Sequence, residues 1–200
     1  ADHAPKPGAI LLSRVAFERP LFTDPGGTEI ELVFAAGRDD EAFTLRSRPA
    51  GSDQPWCAHT TGYARRIATA PRPVPSPPPA SAWEGAEARS SFGGKAISGG
   101  PRWRVGSRAI EQQGRHWRRV ALAAEHAPDL TVFDLHPGLF DGALRDAAQR
   151  TPGERVPHTY DDIRIFGALT PEVVCVTELR YGARRRTGAI RARYHRDVRP

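Results

Sequence analysis

"FDLHPGLFDGALRDAAQR" (residues 133–150) decides how the rest of the chain is read. Leu139, Phe140, Ala143, Leu144 and Ala147 recur at helical spacing and make one apolar stripe. Pro137 suits the first helical position, where a missing N–H costs nothing, and Asp134 or His136 stands near the cap. The pattern predicts one amphipathic helix, entered through His-Pro and carrying Asp141.

Away from this stretch the period changes from helical to two. "TEIELVFAA" alternates Ile30, Leu32 and Phe34 with Glu29, Glu31 and Val33. "EAFTLRSR" repeats the pattern with Phe43 and Leu45, and "WCAHTTGYA" follows. Such alternation between Gly, Asp and Pro clusters predicts half-buried antiparallel strands. "TDPGGTE" and "AAGRDDEA" read as hairpin turns. In "APRPVPSPPPASA" (residues 70–82), Ala70 to Ala80 hold six prolines, which predicts an extended, semi-rigid linker. A glycine-rich patch, "SFGGKAISGGPRW", and two strand-like runs, "RWRVGSRAIEQ" and "HWRRVALAAE", precede the helix. "DDIRIFGAL", "EVVCVTELRY" and "TGAIRARYHRD" follow it as further strands. The expected class is α+β: a first half over 1–69, the linker over 70–82 and a second half over 83–200, whose sheet carries the long helix.

The composition narrows the function classes. Two hundred residues bury a real core. Lys6 and Lys95 are the only lysines, so the +6 net charge is an arginine charge, suited to an acidic partner such as a carrier protein, or to nucleic acid. Cys57 and Cys175 stand far apart in no metal-like spacing and read as free thiols of a reducing, cytoplasmic compartment. No run reaches the apolar length of a membrane span, and no signal peptide opens the chain. The start at Ala1, without Met, reads as an excised piece of something larger. His59, His116, His126, His158 and His195 share no ligand spacing, so no metal site is expected.

"LHPGLFDGAL" resembles the Leu-His-Pro-x-Leu-Leu-Asp-x-x-Leu signature of polyketide synthase dehydratase domains. Other segments agree in order. "VAFERPLF" resembles a strand ending in Arg-Pro-Leu, and "WCAHTTGYARR" a Trp-x-x-His-x-x-Gly strand, in which His59 reads as structural. "GGPRW" sits where the family has Tyr-Gly-Pro-x-Phe, so Gly100 and Pro101 match and Gly99 replaces the Tyr. "VPHTYDDIRIFGALTPEVVCV" resembles a later strand pair, and its "IFGAL" form resembles synthases served by trans-acting acyltransferases. The resemblance implies a double hotdog, in which each half wraps a sheet round a helix. It also implies a hydro-lyase lineage, the 3-hydroxyacyl-carrier dehydratase type, in which no cofactor is bound and the substrate rides on the phosphopantetheine of an acyl carrier protein. Asp141 then matches the acid that protonates the leaving β-hydroxyl, His136 and Pro137 shape the turn before it, and a His of the first half takes the α-proton. The division suits the chemistry, since imidazole is a base near neutrality and a carboxylic acid against an apolar face keeps its proton more firmly than one in water.

Three positions depart from the pattern. The catalytic His belongs in His-x-x-x-Gly-x-x-x-x-Pro, yet His3 is followed by Pro7, with Gly8 one residue late. If "PGAILL" is instead the Pro-Gly-Ala that ends the motif, His3 is several residues too close. Only "AILLS" then separates Gly8 from "RVAFERPL", too short for a hotdog helix, so the first half is expected to have a reduced or missing helix. Arg145 replaces the usual Gln or His one turn after Asp141, where it is placed to pair with that carboxylate.

Three readings follow. The first is a dehydratase handling a β-hydroxyacyl or enoyl chain on an acyl carrier protein, with His3 or a His in an omitted segment as base. The second is a non-dehydrating, branching-type scaffold that assists a neighbouring ketosynthase, as found in trans-acyltransferase synthases. The third is a nucleic-acid binder, suggested by the four Arg within 180–186 and by Tyr181 and Tyr194. Pairing of two copies is an expectation from the resemblance.

Overall fold

The computed structural model describes residues 9–35, 37, 40–68, 75–86, 88–90, 99–149, 158–181 and 188–195. In chain order these form β1 (Ala9–Phe17), β2 (Thr28–Ala35), β3 (Glu41–Pro49), β4 (Cys57–Ile67), β5 (Ala88–Ser90), β6 (Gly106–Gln112) and β7 (Arg115–Ala121). There follow α1 (Pro137–Gln149), β8 (Thr159–Tyr160), β9 (Ile163–Ile165), β10 (Glu172–Tyr181) and β11 (Gly188–His195). Turns of 3-10 helix lie at Ala80–Trp83, Pro101–Trp103 and Ala124–Thr131. The chain divides into two compact units, Ala1–Pro71 with Val156–Phe166, and Arg72–Arg155 with Gly167–Pro200.

The first unit is an antiparallel sheet in the order β2-β3-β4-β1-β8, with β9 also paired to β1. Its described residues contain no helix. The alternation of the sequence becomes the two sides of a ladder. Ile30, Leu32 and Phe34 lie opposite Ser47, Leu45 and Phe43, and the intervening Glu29 and Glu31 lie opposite Arg48 and Arg46. On the charged side Arg46 and Arg48 bind Glu31 and Glu29 and stack on the Trp56 ring, 5.0 and 4.6 Å from its centroid. His59 is buried and ties three segments together. One ring nitrogen, Nδ1, lies 3.1 Å from the Pro20 carbonyl oxygen, which only accepts, so Nδ1 carries the proton; Nε2 then accepts from the Ser47 hydroxyl at 2.7 Å.

Two expectations change here. "TDPGGTE" is a tight turn, with the Gly26 N–H on Asp24 Oδ1 and the Gly27 N–H on the Asp24 carbonyl. It is not a hairpin turn, because β1 pairs with β4 and β2 pairs with β3. Local turn chemistry does not reveal which strand lies across the sheet. The strand within "DDIRIFGAL" belongs to the first unit, not the second: Ile163 and Ile165 pair with Leu12 and Ile10. Its apolar side chains complete the apolar side of β1, and that is a long-range match that period alone does not encode.

The second unit is an antiparallel sheet in the order β11-β10-β7-β6-β5. It is apolar on both sides. Val120, Val173 and Cys175 join Val105, Leu122, Leu139 and Ala143 in one cluster beneath α1. Val174, Val176 and Trp117 join Trp83 in a second cluster on the opposite side. A strand buried on both faces reads as a continuous apolar run, as "VVCV" does. The proline stretch contributes to this second side. Residues 75–79 run extended along Gln112, Gln113 and Trp117, lining a cavity of about 280 Å³. The 3-10 turn after Pro79 then inserts Trp83, 3% exposed.

Helix α1 approaches its sheet closely because Gly142 has no side chain. A Cβ there would lie 2.6 Å from Val105 Cγ2 and 3.0 Å from Val120 Cγ1, both on stiff β-branched residues. The Gly142 carbonyl accepts a 2.7 Å bond from the buried Arg118 guanidinium. Gly142→Ala is therefore expected to destabilise the chain by about 1–2 kcal/mol, the overpacking cost exceeding the roughly 1 kcal/mol that Ala gains over Gly in a helix. Urea titration checks it, and a stabilised Ala variant would contradict this packing.

Candidate functional site

The candidate site lies in the second unit, around the start of α1. Pro137 occupies the first helical position, and the Phe140 N–H closes the first helical bond on the His136 carbonyl at 3.0 Å. His136, not Asp134, is the cap. Its Nδ1 accepts the Gly138 N–H at 3.1 Å, satisfying a donor the helix leaves free. That bond places the ring proton on Nε2, which faces Asp129 Oδ2 at 3.7 Å. The Phe133 ring packs edge-on, 5.7 Å between centroids, and His136 is 2% exposed. Gly138 permits the fold at this point, since a Cβ would stand 2.8 Å from the Arg102 carbonyl oxygen.

Asp129 and Arg102 link this cap to the "GGPRW" turn. Arg102 Nε donates to Asp129 Oδ2 at 2.8 Å. This bond, and further the charge of Arg102 and the contact from His136, hold the Asp129 carboxyl below the usual carboxylate range, against a smaller opposing effect of burial. A folded-state value below the unfolded one means stability that is complete above about pH 4 and lost as pH falls through the lower folded value. The melting-temperature gap between the protein and Asp129→Asn should thus hold from about pH 8 to pH 5 and close below about pH 4. A gap unchanged at about pH 3 would show that this carboxylate is not the group concerned.

Asp141 is half-buried on α1. At 100° per residue it lies on the side of the helix away from Leu139, which is fully buried in the core. Gly100 and Pro101 are exposed and open the 3-10 turn whose Arg102 reaches Asp129. The structure thus brings Gly100, Pro101, His136 and Pro137 into one corner of the second unit. His3, the side chain of Arg145 and the arginines within 182–187 lie outside the described residues. Arg102, Asp129 and Arg118 were not singled out from the sequence. They are contributed by separate loops and a strand, and no short motif joins them. Among the described residues no group of three His, Cys, Asp or Glu is placed to hold a metal ion, and no helix is long and apolar enough to cross a membrane.

No protein-family profile matches the chain. Two curated relatives do. It is 28% identical over 181 residues to the spectinabilin polyketide synthase system protein NorA of Streptomyces orinoci, covering 80% of this chain and 9% of that protein. It is 32% identical over 151 residues to polyketide synthase GfsA of Streptomyces halstedii, covering 68% of this chain and 2% of that one. The chain therefore spans less than a tenth of the length of either relative. Among solved structures, the dehydratase domain of RzxB from Pseudomonas fluorescens superimposes with a TM-score of 0.71 at 15% identity, covering 97% of this chain and 72% of that one. By sequence the chain is similar to polyketide synthases, and its fold is that of polyketide synthase dehydratase domains. The bifunctional dehydratase-cyclase domain of ambruticin biosynthesis has the same fold, with a TM-score of 0.71 at 23% identity, over 93% of this chain and 70% of its own. The antiparallel sheets of this chain, one carrying α1, are thus the hotdog architecture expected from "LHPGLFDGAL", with no helix among the described residues of the first unit.

Proposed function

We propose that this domain acts in a modular polyketide synthase on a β-hydroxyacyl or enoyl chain borne by the phosphopantetheine of an acyl carrier protein, with Asp141 as the acid. In the elimination, a base removes the α-proton, the C–H electron pair forms the Cα=Cβ bond, and the β-hydroxyl leaves as water with the proton that the acid delivers. The observation that carries this reading is the position of Asp141. It follows a capped, buried helix start at the place where the family signature has its acid. His136 is not the base, since its Nδ1 holds the Gly138 N–H and its Nε2 faces Asp129. That role falls to His3 or to a His outside these residues. The excess of arginine in the sequence suits an acidic carrier, and an adjacent ketosynthase of the same synthase is the partner domain.

A second reading has its own support. After Gly8 the chain runs directly as strand, Ala9–Phe17, where the family pattern following Pro-Gly-Ala calls for a helix. This favours a non-dehydrating scaffold of the branching type, which holds the carrier while the ketosynthase does the carbon–carbon chemistry. One experiment separates the two: the domain is incubated with a β-hydroxyacyl carrier protein and the intact acyl-carrier mass is followed. Loss of one water, slowed by a factor of about 10²–10⁴ in Asp141→Asn, is the expected result. No mass change, with the carrier still bound, establishes the scaffold reading.

A further inference from the structure

The cavity beside the proline stretch is short of hydrogen-bond donors. It is lined by residues 75–79, Gln112, Gln113 and Trp117, on the side of the second sheet away from α1 and Asp141. Residues 75–79 bring five carbonyl oxygens, yet four of the five are prolines, so Ser76 alone carries a backbone N–H. Across from them Gln112 Oε1 is buried and has no hydrogen-bond partner among the described residues. A buried acceptor left unpaired is costly and rare in a folded chain. Gln113 follows at φ +54, in the two-residue turn between β6 and β7, where Asn, Asp or Gly ordinarily stands. The chain thus keeps a second carboxamide at this cavity against backbone strain. One water takes about 30 Å³ in the liquid, so a single bridging water does not fill the roughly 280 Å³ present.

We infer that this cavity is a binding site for a small, uncharged, flat molecule with a carboxamide or lactam edge. Three features select that class. No lining residue is ionisable, so an entering ion would lose its hydration and find no counter-charge. The Gln112 carboxamide offers an acceptor and a donor side by side, and an N–H/C=O edge meets both with two parallel hydrogen bonds. The terminal torsion of Gln is broad, so a rotation of the amide turns Oε1 toward the N–H of the ligand. Proline rings and the Trp117 indole favour a flat ring over a branched chain. The ligand supplies the donor that the proline stretch lacks.

Benzamide titrated into the isotope-labelled 200-residue chain tests this, followed by backbone and side-chain NMR shifts. The expected result is saturable shifts centred on the Gln112 and Gln113 carboxamides, the Trp117 indole and Ser76, with a dissociation constant of about 1 mM. N,N-dimethylbenzamide keeps the ring and loses the N–H, and should bind at least about tenfold more weakly. Benzoate, which brings a charge, should not bind. Gln112→Leu should abolish benzamide binding and raise the melting temperature, because it removes the unpaired acceptor. If Gln112→Leu misfolds, the comparison of the two amides on the unaltered chain decides alone. No saturable shift at about 20 mM benzamide, shifts centred elsewhere, equal binding of N,N-dimethylbenzamide, or a Gln112→Leu variant that binds benzamide unchanged would each overturn the proposal.

Discussion

His136→Ala is expected to destabilise the second unit by about 3 kcal/mol, and His136→Asn by about 1 kcal/mol less. The ring does two separable jobs. Its Nδ1 accepts the Gly138 N–H at the first turn of α1, a capping bond whose loss costs about 1 kcal/mol. Its body, 2% exposed and packed edge-on against Phe133, fills volume that Ala leaves empty, at a further cost of about 2 kcal/mol. Asn returns an acceptor near the Gly138 N–H but not the ring, so it recovers only the first part. Urea titration followed by tryptophan fluorescence reads this, because Trp83, Trp103 and Trp117 all belong to the second unit. A loss below about 1 kcal/mol for His136→Ala would mean that the ring is not packed as described.

Leu139→Ala is expected to cost about 3–4 kcal/mol, equivalent to roughly 6–16 °C in melting temperature for a chain of this size. Leu139 has no exposed surface and sits in the cluster of Val105, Val120, Leu122, Ala143, Val173 and Cys175. Its removal leaves a cavity between a helix and a sheet already held at close range by Gly142, so little relaxation is available. Val132→Ala is the control: Val132 is 77% exposed in the loop before the helix, and its loss should stay within about 0.5 kcal/mol. Equal losses at the two positions would show that α1 does not pack on β7 and β10 through this stripe.

The helix was legible because its stripe, its Pro at the first position and its entry residue all act within one stretch. The structure places α1 at Pro137–Gln149, with Leu139, Ala143 and Leu144 buried as the spacing required. The strands of the first unit were legible for the same local reason, period two between turn residues. The sequence did not reveal the 3-10 turn at Ala124–Thr131, which carries Pro128 inside it, or that its Asp129 would bridge Arg102 and His136. Those contacts join residues that lie 7 and 27 positions apart and share no motif, and neither partner's spacing announces the other.

The residues alone determined the strands that alternate at period two, the capped helix with Asp141 on it, and the likeness of "LHPGLFDGAL" to polyketide synthase dehydratase domains. All of these are set by interactions among neighbours within a few residues, so local pattern suffices to read them. Only the tertiary structure decided that the β1 edge takes β9 from the far end of the chain, that the proline stretch ends by burying Trp83, and that β2 ends its sheet with an apolar side exposed. Each of these depends on which surfaces meet after chain segments far apart in sequence come together, and that choice is made by burial and register across the sheet, not by propensity along it.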